Sequence, residues 1–127
     1  MSGMGTFRIV VGVESMAQRG RIIELRDVIV DTGAEATWIP RPVLESLGIA
    51  PERTELYQMA DGRVLERQVG FAIVHVSGVT AADHLVFAEE GDLSLLGARS
   101  LEGLNLRVDS RRKQLVSAGP IIAATAA

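Results

Sequence analysis

Apolar and polar residues alternate with a period of two over much of this chain, which is the pattern of half-buried β-strands. Residues 7–13 follow it near the N-terminus, and residues 104–108 follow it near the other end. Residues 28–30 form a short run that is entirely apolar, as in strands buried on both faces. The pattern therefore predicts many short strands.

Turn signals separate these strands, and helical patterns are scarce. Asp61-Gly62 lies between two strand-like runs and is a strong hairpin signal. Residues 43–48 resemble a single helical turn closed by Gly48, and residues 98–103 are the best candidate for a helix. We expect one all-β domain over residues 1–127, built as a small closed barrel with one short helix near residues 98–103.

Length and composition fit a single globular domain. The chain has 127 residues, of which 47% are hydrophobic, and no apolar run is long enough to cross a membrane as a helix. The first residues lack the basic segment and apolar run of a secretory signal. We expect a cytoplasmic protein with no membrane segment, unless the chain is an excised domain of a larger protein.

Charge and residue usage exclude several kinds of site. The chain has no cysteine, which rules out disulfides, thiolate catalysis and zinc–thiolate sites, and two histidines cannot build a histidine cluster. The formal net charge of −3 argues against nucleic-acid binding. The basic run at residues 111–113 fits a solvated hairpin turn. We therefore expect no metal and no nucleic-acid partner.

The segment "VIVDTGAEATW" contains the most informative polar residues. Asp31 directly follows an apolar run and is followed by Thr32 and Gly33. Aspartate and glycine are common where a strand ends in an ordinary turn. A second apolar run, "LSLLG", also stops at a glycine, Gly97, before the predicted helix. Two similar strand–turn–helix units suggest a pseudo-twofold construction, and Asp31 belongs either to an ordinary turn or to half of an active site.

These residues resemble the retroviral-type (retropepsin-like) aspartic proteases. "VIVDTGA" is similar to their catalytic signature, the Asp61-Gly62 hairpin lies where they carry a flap, and "LLG" before a helix is similar to their second conserved element. The order and spacing cover residues 28–104. "DTGAEATWIP" together with "MADGR" is more similar to the bacterial branch than to the viral one.

The resemblance implies a chemistry. Each chain supplies one catalytic aspartate, so the enzyme would be a homodimer in which Asp31 of one copy faces Asp31 of the other. The two carboxylates would share a proton and activate a water molecule that hydrolyses a peptide bond. The partners would be a second copy and a peptide or protein substrate, and no cofactor would be needed.

The resemblance also assigns roles to individual residues. The catalytic loop would consist of Asp31, Thr32, which would hydrogen-bond across the dimer axis, and Gly33, whose N–H would point at the carboxylate. The substrate-binding residues would be the cleft wall and the flap tip, namely Ala34, Met59, Ala60, Asp61 and Gly62. The flap would close on an extended peptide and exclude water.

The chain departs from the viral pattern near the predicted helix. Viral enzymes pair an acid after Asp-Thr-Gly-Ala with an arginine directly after the second glycine. Glu35 holds the acidic place, but Ala98 follows Gly97 and the arginine is one residue later, at Arg99. Because a shift of one residue changes where a side chain points, the usual ion pair is not expected to form.

Other interpretations of the same residues remain open. The chain could be a retropepsin-like module that dimerises or binds peptides without cleaving them, or that processes only its own precursor. It could also be a single-chain barrel that binds a small ligand, if the motif is accidental. His75 and His84 suit structural or surface roles, and Trp38 suits the core or the cleft wall. Ile121-Ile122 fits either an added strand at an interface or a disordered end.

Overall fold

The computed structural model describes residues 6–124, and most of these residues lie in β-strands. Within that range there are nine strands and two short helices. In chain order they are β1 (Phe7–Glu14), β2 (Ile22–Val30), β3 (Thr37–Pro40), α1 (Arg41–Ser46), β4 (Arg53–Gln58), β5 (Val64–Val76), β6 (Val79–Ala88), β7 (Leu95–Leu96), α2 (Ala98–Leu104), β8 (Leu106–Asp109) and β9 (Gln114–Ser117). The expected all-β class is confirmed.

Seven of the strands form one sheet that curls into a ring. Their order is β1-β2-β7-β3-β6-β5-β4, and β1 also pairs with β5, so that Gly12 lies opposite His75. Strand β4 remains at an edge of the sheet, paired only with the first half of β5. Strands β8 and β9 form a separate hairpin.

The alternating positions seen in the sequence point into the ring. Val11 and Val13 of β1, and Val28 and Val30 of β2, are fully buried. They belong to a core cluster that also contains Phe87 and is closed by residues of both helices. Burial of a side chain of this size is worth about 1.5–3 kcal/mol, so the pattern of alternation accounts for which face of each strand lies inside.

Strand β2 is longer than its sequence pattern suggests. The apolar run at residues 28–30 predicts a separate short strand, because the polar residues Arg26 and Asp27 precede it. In the structure both residues lie opposite the single residue Val10, as the pairing shifts between Ile9 and Val11. This β-bulge accommodates the exposed polar pair and lets the strand continue to Val30, directly before Asp31.

Both helices lie where the sequence indicates helical residues. The helix expected at residues 98–103 is α2, and the helical turn expected from residue 43 is a second helix, α1. Residues 118–124 form no strand in the single chain, so an added strand at an interface with a second copy stays a prediction, and residues 125–127 lie outside the described residues. No helix within residues 6–124 is long and apolar enough to span a bilayer.

A buried carboxylate fixes the connection between β1 and β2. Glu14 accepts hydrogen bonds from the Gly20 N–H at 2.5 Å and from His75 Nε2 at 2.7 Å. Glu14 Oε2, the oxygen that accepts the Gly20 N–H, also forms an ion pair with Arg19 Nε at 3.0 Å. The Gly20 N–H, followed by Arg19 and His75, lowers the pKa of Glu14 from 4.5 to about 2.

This lowered pKa predicts a dependence of stability on acid. Because the pKa of Glu14 is about 2 in the folded chain against 4.5 ordinarily, its stabilisation is complete above about pH 4.5 and is lost as the pH falls toward 2. Glu14→Gln should therefore lower the free energy of unfolding at pH 7 and flatten its decline below pH 4.5. Urea titrations over this pH range measure both effects.

Glu24→Gln is the matched control, because Glu24 forms only a 3.9 Å ion pair with Arg26 and its side chain is 61% exposed. It should leave the pH dependence as in the parent. If the parent and Glu14→Gln lose stability in parallel below pH 4.5, Glu14 does not make this contribution.

Candidate active site

Asp31 lies directly after the end of β2, which pairs in parallel with β7. Val30 of β2 lies beside Leu96 of β7, and both side chains are fully buried. The Asp31 N–H donates to the Leu96 carbonyl at 3.0 Å, which fixes the first residue after the strand. The strand pairing and this hydrogen bond therefore fix the backbone of Asp31 at the end of the buried apolar run.

The two residues after Asp31 turn the chain and support its carboxylate. The Gly33 N–H donates to Asp31 Oδ1 at 2.9 Å, and the Ala34 N–H donates to the Asp31 carbonyl at 3.1 Å. A Cβ at Gly33 would lie only 3.2 Å from Asp31 Oδ1, so glycine leaves room for this bond. Thr32 is exposed at the loop, and the Asp31 side chain is half-buried.

Gly97 fixes the Asp31 loop to the start of α2. A Cβ at this position would lie 2.3 Å from the Ala36 carbonyl oxygen, far closer than any real contact. This close approach lets the Ala98 N–H donate to the Ala34 carbonyl at 2.8 Å and the Arg99 N–H to the Glu35 carbonyl at 3.0 Å. The second glycine is therefore a requirement of packing around the loop that carries Asp31.

A buried polar network fixes the same junction from below. Thr37 and Ser100 are fully buried, and their hydroxyl oxygens lie 2.6 Å apart. The Gly97 N–H donates to Thr37 Oγ1 at 3.0 Å, and the Ser100 hydroxyl donates to Asp83 Oδ2 at 2.9 Å. Because every buried side-chain polar atom within residues 6–124 has a partner, the network adds rigidity without an unpaired group.

A tight turn closes the hairpin formed by β4 and β5, the hairpin that the sequence predicts as a flap. The Met59 N–H donates to the Arg63 carbonyl at 2.7 Å, and the Gly62 N–H donates to the Met59 carbonyl at 2.9 Å. Gly62 adopts a φ of +91°, which favours glycine. The Asp61 carboxylate accepts bonds from the Arg63 backbone and guanidinium, and these bonds lower its pKa.

Between this hairpin and the Asp31 loop lies an open cleft of about 870 Å³. Five of the predicted site residues line it: Asp31, Gly33, Ala34, Met59 and Ala60. The other three, Thr32, Asp61 and Gly62, belong to the same two loops but are not part of the lining. The fold thus brings the Asp31 loop and the tip of the β4–β5 hairpin to the same cleft.

Tyr57 and His84 line the cleft but were not singled out from the sequence as binding residues, whereas the cleft wall was one of the two roles expected for Trp38. Trp38 is buried and lines the cleft, in edge contact with Tyr57 at 5.3 Å between ring centres. His84 also lines it, and its pKa is lowered by burial and by Arg99, against the opposing effect of Asp83. Tyr57 lies two residues before Met59, so the alternation of the strand was the available signal.

The departure near α2 has a structural consequence. Arg99 and Glu35 both line the cleft, but the ion-pair partner of Arg99 within residues 6–124 is Asp83, at 4.0 Å. The link between Arg99 and Glu35 is the backbone hydrogen bond instead. Within the same residues no three histidine, aspartate or glutamate side chains converge as metal ligands would.

Comparison with known proteins identifies the family. The family described as "gag-polyprotein putative aspartyl protease" matches residues 24–103, which include the Asp31 loop, the flap hairpin and most of α2. The chain belongs to this family. The comparison with curated proteins found no match to this chain.

A solved structure supports the fold. The solution structure of simian foamy virus (mac) protease is similar over 74% of this aspartyl protease family member and 90% of its own chain. The TM-score is 0.52 and the sequence identity 20%, so the likeness concerns the fold alone. The expected retropepsin-type fold is thereby confirmed.

Proposed function

We propose that this protein is an aspartic endopeptidase that acts as a homodimer. The single observation that carries the proposal is the placement of Asp31. Its carboxylate accepts the Gly33 N–H at 2.9 Å and lines an open cleft. The residue before it, Val30, is buried and pairs in parallel with the buried Leu96. A carboxylate held in this way, in a chain of this family, suits general acid–base work on a peptide.

One chain supplies only half of the acid pair that this reaction requires. A twofold dimer would bring Asp31 of each copy to the symmetry axis, with Thr32 bonding across it. Two adjacent carboxylates cannot both ionise without strong repulsion, so they would share one proton. The pair would then present one base and one acid under mildly acidic conditions.

The proposed reaction divides its steps between the two acids. The ionised carboxylate accepts a proton from a water molecule, whose oxygen attacks the peptide carbonyl carbon, while the protonated carboxyl donates to the carbonyl oxygen. This forms a tetrahedral gem-diol. As the C–N bond breaks, the leaving nitrogen takes the proton that the first carboxylate accepted from water, and a gem-diol hydroxyl gives a proton back to the second carboxylate. The products are a carboxylic acid and an amine.

The flap hairpin suits an extended peptide. Strand β4 pairs with β5 alone, so within the described residues its other edge carries free backbone donors and acceptors. Met59 and Ala60 reach the cleft from the tip, and Trp38, Tyr57 and Leu95 supply apolar walls. We therefore propose extended peptides with apolar side chains as the substrate class, with Asp61 and Gly62 shaping the moving tip.

A second function has one observation in its favour. Arg99 lies with Asp83 instead of forming the ion pair with Glu35 that supports viral dimers. This favours a module that dimerises or binds peptides without general proteolysis, or that processes only its own precursor.

The similarity to the bacterial branch and a cytoplasmic location also stay predictions.

The dimer proposal makes activity depend on protein concentration. Because half a site is inert, the rate per chain should fall on dilution through the dissociation constant of the dimer. Initial rates on an apolar peptide, measured alongside sedimentation, test this. A rate strictly proportional to concentration in samples that sediment as monomers would exclude a shared site, and cleavage of no peptide by a sedimenting dimer would favour the binding module.

A further inference from the structure

An ion pair joins the flap strand to the turn between β6 and β7. Arg67 of β5 donates through Nε to Asp92 Oδ2 at 2.7 Å and through Nη2 to Asp92 Oδ1 at 2.9 Å. The two side chains are only 17% and 11% exposed. Two parallel bonds from one guanidinium fix both the distance and the orientation of the carboxylate.

Asp92 also closes the turn in which it lies. Its Oδ2 accepts the Glu89 N–H at 2.7 Å, while its own N–H donates to the Glu89 carbonyl at 2.9 Å. Gly91 permits this turn through a φ of +91°. One carboxylate thus organises the turn and attaches it to the flap strand.

The opposite end of the turn is fixed by a second arginine. Arg41 donates to Glu89 Oε2 from Nε at 2.9 Å and from Nη2 at 2.7 Å, and its guanidinium lies 5.0 Å from the centre of the Phe87 ring. Arg41 Nη2 also donates to Gln68 Oε1 at 2.6 Å. Arg67 of the flap strand therefore bonds directly to one end of the turn, and Gln68 is linked to the other end through Arg41.

The residue that this turn presents is Leu93. Its side chain is 61% exposed and lines the cleft of Asp31 as well as a second cleft of about 510 Å³ between the turn and the flap hairpin. Four side chains form the wall shared by the two clefts: Trp38, Met59, Leu93 and Leu95. Trp38 and Leu95 are held by the sheet, and Met59 belongs to the flap.

A largely buried ion pair is weak evidence of stability, because desolvation offsets much of the attraction. The two paired hydrogen bonds between Arg67 and Asp92 do fix the orientation of both side chains, and so they can hold a neighbouring residue in place. We propose that Arg67 and Asp92 are positioning residues, whose ion pair holds Leu93 in the shared wall and so sets which substrate side chains the cleft accepts. This inference rests on the peptide cleft proposed above, and it goes beyond it by naming residues outside the catalytic loop.

Binding measured without turnover tests the positioning role. In an Asp31→Asn background, Kd values are measured for peptides that exchange alanine for leucine at successive positions, which identifies the position of strongest preference. We expect about tenfold preference for leucine there, falling to about twofold in Asp92→Asn and in Leu93→Ala. Arg67→Lys keeps the charge but not the paired bonds, so it should give an intermediate loss.

Glu24→Gln, which removes an exposed ion pair far from both clefts, should keep the full preference. Amide exchange at Glu89 should quicken in Asp92→Asn, since a neutral amide oxygen accepts that N–H more weakly than the carboxylate does. Preference that is absent in the parent, or unchanged in both Asp92→Asn and Arg67→Lys, would overturn the inference. Cleavage of the same peptides by the parent separately decides the proposed function.

Discussion

Replacing Asp31 with asparagine is expected to lower kcat/KM on apolar extended peptides by about a thousandfold or more. The amide oxygen can still accept the Gly33 N–H, which Asp31 Oδ1 accepts at 2.9 Å, so the loop should keep its shape. An amide can neither take a proton from water nor share one with its mate. Initial rates measure the loss, and thermal unfolding within a few degrees of the parent shows that the fold is retained.

The matched control is Asp27→Asn on the same strand. Asp27 lies at the bulge of β2, is exposed and is no part of either cleft. Loss of its charge should leave the rate within about twofold of the parent. If the Asp31→Asn protein cleaves as fast as the Asp27→Asn protein, Asp31 is not the catalytic acid.

Gly97→Ala is expected to destabilise the protein by about 3 kcal/mol or more. The added Cβ would meet the Ala36 carbonyl oxygen at 2.3 Å and the Glu35 carbonyl oxygen at 2.8 Å. Both atoms belong to the backbone, so no side chain can move aside. The chain must instead shift the loop between Asp31 and Thr37, and activity should fall with stability.

Gly103→Ala provides the control for this substitution. Gly103 lies in the last turn of α2, and its Cβ would approach the nearest atom, Ala81 Cβ, at an ordinary 3.4 Å. Alanine there should be neutral or should stabilise by about 0.5–1 kcal/mol, because glycine weakens a helix. Urea unfolding of the two variants should separate them by several kcal/mol. Equal stability would show that the space around Gly97 is not restrictive.

The parts of the fold that the sequence predicts are those encoded by neighbouring residues. Period-two alternation indicates the strands, Asp61-Gly62 indicates the hairpin, and the two glycine-ended runs indicate where α2 and the Asp31 loop lie. The continuity of β2 escaped prediction because Arg26 and Asp27 interrupt its apolar pattern. Only their pairing opposite Val10 shows that they form a bulge.

The cleft depends on contacts between distant residues and could be predicted only in part. Trp38 and Tyr57 are in ring contact although β6 and β5 lie between β3 and β4 in the sheet, and His84 of β6, the strand that pairs with β3, also lines the cleft. The pair Arg67–Asp92 joins residues 25 positions apart, and neither residue has a sequence pattern of its own. Propensities carry no signal for such contacts, which arise when the sheet closes into a ring.

A crystal structure of the protein with a statine-type peptide, whose hydroxyl mimics the gem-diol, would test the proposed mechanism most directly. The quantity to measure is the distance between the two Asp31 carboxyl groups. We expect a twofold dimer in which both groups lie within about 3 Å of each other and bond the same hydroxyl. A peptide bound beside a lone Asp31, with no second copy reaching it, would contradict the shared acid pair.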